Sequence, residues 1–81
     1  MSANTAYGTL RYRFRKVGAA YYLPVADGST LWIKRGARTR RWELLHEFRD
    51  PMGLRQWAVL GIHSTLGAAQ ADACALLGLM A

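Results

Sequence analysis

The sequence predicts an α+β domain in which an antiparallel sheet of three to five strands packs against one C-terminal helix. Three observations carry that prediction. Apolar and cationic residues alternate with period two near the start of the chain. Turn-forming clusters, Asp27-Gly28 and Asp50-Pro51-Met52-Gly53, separate the apolar runs. After Ser64 and Thr65 the apolar residues change to helical spacing.

Residues 1–8 read as a loose tail and residues 9–81 as one small domain. From Thr9, Leu10, Tyr12 and Phe14 fall on one face and Arg11, Arg13 and Arg15 on the other, which is a strand with one buried and one wet side. The run Ala19 to Ala26 leads into Asp27-Gly28, a hairpin turn pair. Pro24 has no N–H to give a ladder, so this run is expected to lie at a sheet edge. Leu31 to Arg35 continues as a strand, and Gly36 to Arg41 is a polar connection rich in arginine. Arg41 to Arg49 alternates again, with Trp42, Leu44, His46 and Phe48 on one side. Asp50 to Gly53 is a turn, since Pro presets one position and Gly permits positive φ at another. Leu54 to Ile62 is the next strand, bent or ended at Gly61. Ser64 or Thr65 can cap a helix, whose apolar stripe is Leu66, Ala69, Ala73, Leu76 and Met80. Trp42, Phe48, Trp57, Leu60, Leu66, Ala73 and Leu76 are the expected core between sheet and helix.

The chain has 81 residues and a formal charge of +6. All eleven basic residues, nine of them arginine, lie between Arg11 and Arg55, while the last 26 residues carry only Asp72. Such asymmetry favours an anionic partner for the first part. One cysteine, Cys74, excludes an intramolecular disulfide and suggests a reducing, cytoplasmic setting. The N-terminus lacks the apolar run of a signal peptide, and no stretch has the length of a membrane span. Two histidines and one cysteine assemble no zinc site of usual spacing. No metal or cofactor is expected.

Catalysis has no support in the sequence. Its five acids offer no pair with acid–base spacing, and no glycine-rich phosphate loop is present. His46 reads as a core or boundary histidine, His63 as a loop residue and Cys74 as an inert buried thiol. The cations say more. Lys34, Arg35, Arg38, Arg40 and Arg41 crowd one hairpin connection, and Arg11, Arg13 and Arg15 project from one strand face. Their spacing on that face, roughly 6.5–7 Å, approaches that of neighbouring phosphates on a nucleic-acid strand. Arginine suits bidentate contact with phosphate or guanine, and aromatics such as Trp32 beside cations can meet bases or sugars. Arg49 and Arg55 complete the candidate set. The helix has an almost uncharged outer side, Gly67, Ala68, Gln70, Ala71, Asp72 and Ala75, which makes it a candidate surface for a homodimer or protein partner.

The segment 31–77 resembles two kinds of DNA-binding domain, each a three-stranded antiparallel sheet packed on a C-terminal helix. Leu31-Trp32-Ile33, Arg41-Trp42, Arg55-Gln56-Trp57, Leu60-Gly61 and Thr65 to Ala71 are similar to the arm-type DNA-binding domain of phage tyrosine integrases. Glu47-Phe48-Arg49-Asp50-Pro51, Gly53-Leu54-Arg55 and Leu60-Gly61 resemble the plant ethylene-response-factor domain, which phage homing endonucleases also carry. The resemblance implies a sheet face that enters the major groove of duplex DNA, in a phage or mobile-element setting. These 81 residues hold no catalytic domain, so the expectation is a binding module rather than an integrase or endonuclease. The other reading is a small phage-type inhibitor, anti-CRISPR-like or another host-takeover factor, whose basic face meets an acidic host-protein surface.

Overall fold

The computed structural model of the protein describes residues 13–80 and has the expected α+β architecture. Five antiparallel strands form one sheet in sequence order: β1 (Arg15–Val17), β2 (Ala20–Pro24), β3 (Thr30–Arg35), β4 (Trp42–Arg49) and β5 (Arg55–His63). The helix α1 (Leu66–Met80) lies across one face, over β3, β4 and β5. Thr65 caps it, its Oγ1 accepting the Ala68 N–H at 3.1 Å.

The turns form where the sequence places them, each for a local reason. Asp50 Oδ1 accepts the N–H groups of Met52 and Leu54, both at 2.9 Å, and Gly53 takes φ 84°, a region open to glycine at no steric cost. In the β2–β3 turn, Asp27 Oδ1 accepts the Ser29 N–H at 2.8 Å and also the Ser29 hydroxyl. The β3–β4 loop is closed by Gly36 N–H to the Arg41 carbonyl at 2.8 Å and Arg40 N–H to the Gly36 carbonyl at 3.1 Å. Arg40 there sits at φ 57°, an uncommon conformation for a side chain of its size.

Cross-strand partners share a face, so register assigns every side chain. Tyr21, Ile33, Leu44 and Gly61 stand in one row beneath the helix, and Leu23, Leu31, His46 and Ala58 in the next. Leu31, Ile33 and Leu44 are fully buried and form the core with Leu23, Ala69, Ala73 and Leu77. Each of those three large aliphatic side chains contributes about 1.5–3 kcal/mol by leaving water. Phe14, Tyr21, Val25, Trp42, Leu66 and Leu76 pack around them.

Three expectations are corrected. Trp57 is not in this core. It alternates with Ala58, which faces the helix, so it stands on the opposite face and is 48% exposed. Leu60 is not buried either, because pairing slips between Leu44/Leu45 and Val59/Gly61 and leaves Leu60 as the extra residue of a bulge. Pro24 does not make β2 an edge strand. β2 lies between β1 and β3, and its pairing with β1 stops at Arg15–Tyr22, before the missing N–H is needed. Leu10, Arg11, Tyr12, the tail 1–8 and the Met80 side chain lie outside the described residues.

Candidate nucleic-acid interface

The face of the sheet away from α1 carries five of the sequence-selected residues: Arg15, Trp32, Lys34, Arg49 and Arg55. Arg15, Tyr22, Trp32, Leu45 and Val59 form one row across it, and Lys34, Glu43 and Ile62 another. Thr30, Glu47 and Trp57 form a third, and Arg49 and Arg55 end the β4–β5 ladder. Aromatic rings link the rows. Tyr22 and Trp32 lie with centroids 5.2 Å apart, and Trp32 and Trp57 6.3 Å apart across β4. Lys34 Nζ lies 5.8 Å from the centroid of Trp57, within cation–π range.

Glu47 holds this arrangement in place. Its Oε1 accepts the Trp32 indole N–H at 2.7 Å, and its Oε2 pairs with Arg55 Nε at 2.9 Å. The carboxylate therefore fixes one tryptophan and one arginine together. Arg55 itself is well exposed, so the pair contributes little to stability and mainly sets orientation.

The remaining cations divide by position. Arg13 is exposed just before β1. Arg38, Arg40 and Arg41 are exposed in the β3–β4 loop, beside the β1–β2 turn at one end of the sheet. Arg49 belongs to the other end, seven residues along β4 and roughly 23 Å away, where its Nη1 donates to the Gly53 carbonyl at 2.8 Å. Arg35 is on the helix side, with its guanidinium 5.6 Å from the Trp42 ring centroid and its Nε donating to the Arg40 carbonyl at 3.3 Å. So Arg15, Trp32, Lys34, Arg49 and Arg55 share the open face, the loop trio rims one end of it, and Arg35 does not belong to it. Arg11 lies outside the described residues.

The sequence reading missed Tyr22 and Glu47 as parts of this face and misplaced Trp57. A signal existed. Trp57 has the parity of Arg55, and Tyr22 the parity opposite to the buried Leu23. The two histidines are tied into structure. His46 Nε2 lies 2.9 Å from Ser29 Oγ. The Ser29 hydroxyl donates to Asp27, so its oxygen accepts the His46 N–H. A serine placed so directs its proton at the Asp27 carboxylate and its lone pair at a donor, which does not activate it toward a substrate. The serine hydrogen bond also holds the Asp27 carboxyl below its ordinary range. This relay borders a cleft of about 470 Å³ between the β2–β3 turn and the end of β4, which Glu47 and Arg49 also line. His63 Nε2 lies 2.8 Å from Asp72 Oδ2, tying the end of β5 to the helix. Burial pushes the Cys74 thiol up, away from the reactive thiolate. Among the described residues no three His, Cys, Asp or Glu side chains converge on a metal position, and no helix is long and apolar enough to cross a membrane.

Comparison with known proteins returns no match: no family model, no curated protein and no solved structure corresponds to this chain.

Proposed function

We propose that this protein binds nucleic acid, with duplex DNA the expected form, through the open face of its sheet. One observation carries the reading: the aromatic strip of Tyr22, Trp32 and Trp57, which links two neighbouring rows of the open face, lies between two cationic zones. Arg38, Arg40 and Arg41 form one, while Arg49 and Arg55 form the other, with Arg15 and Lys34 on the face itself. Cations at both ends of an aromatic strip can neutralise phosphates on either side of a groove, and the strip supplies flat contact to bases or sugars between them. Arginine adds planar donors for phosphate or a guanine edge.

The test is a duplex titration over a salt series. Affinity is expected to fall steeply, with counterion release equivalent to roughly three to six phosphates. No binding at low salt, or a flat salt response, removes the proposal. Tighter binding of a single strand of the same sequence changes the mode from groove insertion to base stacking. A second reading, a small inhibitor of a host protein, draws on the outer side of α1. There Gly67, Ala68, Ala71 and Ala75 stand exposed without a charge. An acidic protein surface would then replace the phosphates.

A further inference from the structure

Among the described residues the sheet has two edges, β1 and β5, and they are built differently. β1 has three residues, two of them the cations Arg15 and Lys16, and a short charged edge resists pairing with another chain. β5 has nine residues, a strip roughly 30 Å long, and carries no charged residue or proline from Gln56 through Ile62. Its only strand neighbour is β4, so the backbone groups on its outer side have no ladder partner among the described residues. Exposed large apolar side chains concentrate here: Trp57, Val59 at 61%, Leu60 and Ile62 at 55% all belong to β5. Long, apolar, uncharged edges of this kind are what sheet proteins ordinarily guard against, and the bulge at Leu60 is the one guarding feature along this strip.

We propose that β5 pairs with β5 of a second copy of this chain, antiparallel about a two-fold axis, joining two five-stranded sheets into one of ten strands. A second copy fits for three reasons. A two-fold contact matches each edge with one of equal length and pattern, so both are satisfied by the same surface. The chain as a whole carries +6, yet this strip is uncharged, and its flanking groups are already paired: Arg55 with Glu47 at 2.9 Å and His63 with Asp72 at 2.8 Å. Two copies therefore meet here with little like-charge repulsion, as they could not at β1. The strip, roughly 30 Å by about 10 Å, covers only a few hundred Å² per copy, less than a standard specific interface, so the contact relies on the ladder hydrogen bonds of two paired edges and is weak and reversible. Full overlap of the two strands puts Val59, the middle residue, beside the axis.

The experiment is sedimentation velocity of the full chain, without nucleic acid, from about 5 to 500 µM, a range that spans weak reversible dimers. The expected result is a shift from the 9.0 kDa chain toward twice that mass as concentration rises. Val59→Lys, which brings two ammonium groups together at the axis, should move the midpoint at least tenfold higher in concentration with the melting temperature nearly unchanged. Ala71→Lys on the outer helix face should leave the midpoint where it is. Amide hydrogen exchange should slow with concentration along β5 and not along α1. A monomer at every concentration overturns the proposal. So does a dimer sensitive to Ala71→Lys rather than Val59→Lys, or protection gained on α1. None of these measurements involves nucleic acid, so failure of the proposed function leaves this result intact and the reverse holds too.

Discussion

The two faces of this sheet use the same alternating strands for opposite ends. Beneath the helix, β3 and β4 present Leu31, Ile33 and Leu44, which are fully buried, and β5 presents Ala58 and Gly61. On the open side the same strands present Trp32, Lys34, Glu47 and Trp57, held together by ring contacts and one shared carboxylate. Both sides carry aromatic rings, Tyr21 and Trp42 on the helix side and Tyr22, Trp32 and Trp57 on the open side. What separates the faces is fit to an alanine-rich helix rather than hydrophobicity. Ala69 and Ala73 approach closely only where the sheet offers small or aliphatic partners, and Gly61 shows how tight that seat is. A Cβ at Gly61 would stand 2.8 Å from Asp72 Oδ2 and 3.0 Å from His63 Nε2. The His63–Asp72 pair occupies the space a side chain would need.

The comparison breaks most sharply in the core. Leu44→Ala should cost about 3–5 kcal/mol, a large share of the ~4–12 kcal/mol available to a domain of this length. Trp57→Ala, although it removes a larger side chain, should cost only about 1 kcal/mol because the ring is half in water already. Chemical denaturation of both variants checks this, and a Trp57→Ala loss equal to that of Leu44→Ala would place the ring inside after all. The same Trp57→Ala protein should bind duplex DNA at least several-fold more weakly than the parent, which separates the two faces by function as well as by stability.

Next in size is the effect of the loop cations. Replacing Arg38, Arg40 and Arg41 together by Ala should lower duplex affinity about 10–100-fold and reduce the salt slope by roughly three phosphate equivalents. The melting temperature should hardly move, since exposed charges contribute little. Arg13 and Arg15, changed together, should have the smaller effect. Equal binding by the loop variant and the parent at one salt concentration would remove the loop from the interface.

Gly61→Ala probes the helix seat. The added methyl displaces the His63–Asp72 contact and should cost about 1–2 kcal/mol, within the usual range for overpacking a close contact. His63→Ala in the Gly61→Ala background should then cost little more, because the contact is already lost. Full additivity, read from a double-mutant cycle, would show that the methyl acts elsewhere.

The smallest expected effect is acid sensitivity at the turns. The Leu54 N–H, then the Gln56 side-chain amide, holds the Asp50 carboxyl below its ordinary value of 3.8. Asp27 is held below the same value by the Ser29 hydroxyl. A carboxyl lowered on folding stabilises the fold above its unfolded value, and that contribution disappears as pH falls through the folded one. The melting temperature should therefore be flat near neutrality and decline below about pH 4. Asp50→Ala should lower the plateau slightly and make the acid decline shallower.

How far the sequence reaches depends on which interactions decide each feature. The turn at Asp50 to Gly53, the cap at Thr65 and the alternation from Trp42 to Phe48 depend on neighbours within a few residues, and all are legible in the chain. The candidate site was legible in composition and less so in arrangement. Lys34, Arg15, Trp32, Arg49 and Arg55 do share one face, since parity along a strand survives folding. Arg35 leaves that set by the same rule, being one residue out of phase with Lys34. Glu47 went unnoticed because its partners, Trp32 and Arg55, are brought to it by strand pairing rather than by spacing in the chain.

By itself, then, the sequence determined the class of fold, the turns at Asp27-Gly28 and Asp50 to Gly53, and the grouping of side chains into two sets per strand, but not the turn at Gly18. Each follows from local geometry, the period-two swing of Cβ along a strand and the hydrogen bonds of short polar side chains to their own backbone. Only the tertiary structure decided which set the helix covers, that β2 lies inside the sheet and β5 at an edge of its described strands, and that a bulge turns Leu60 out of the core. Those outcomes depend on close packing between residues distant in the chain, where Ala69 and Ala73 must find room on the sheet. A half-exposed Trp57 is the consequence: the helix takes the face that admits it, with Tyr21 and Trp42 at the margin of its core, and Tyr22, Trp32 and Trp57 keep the other.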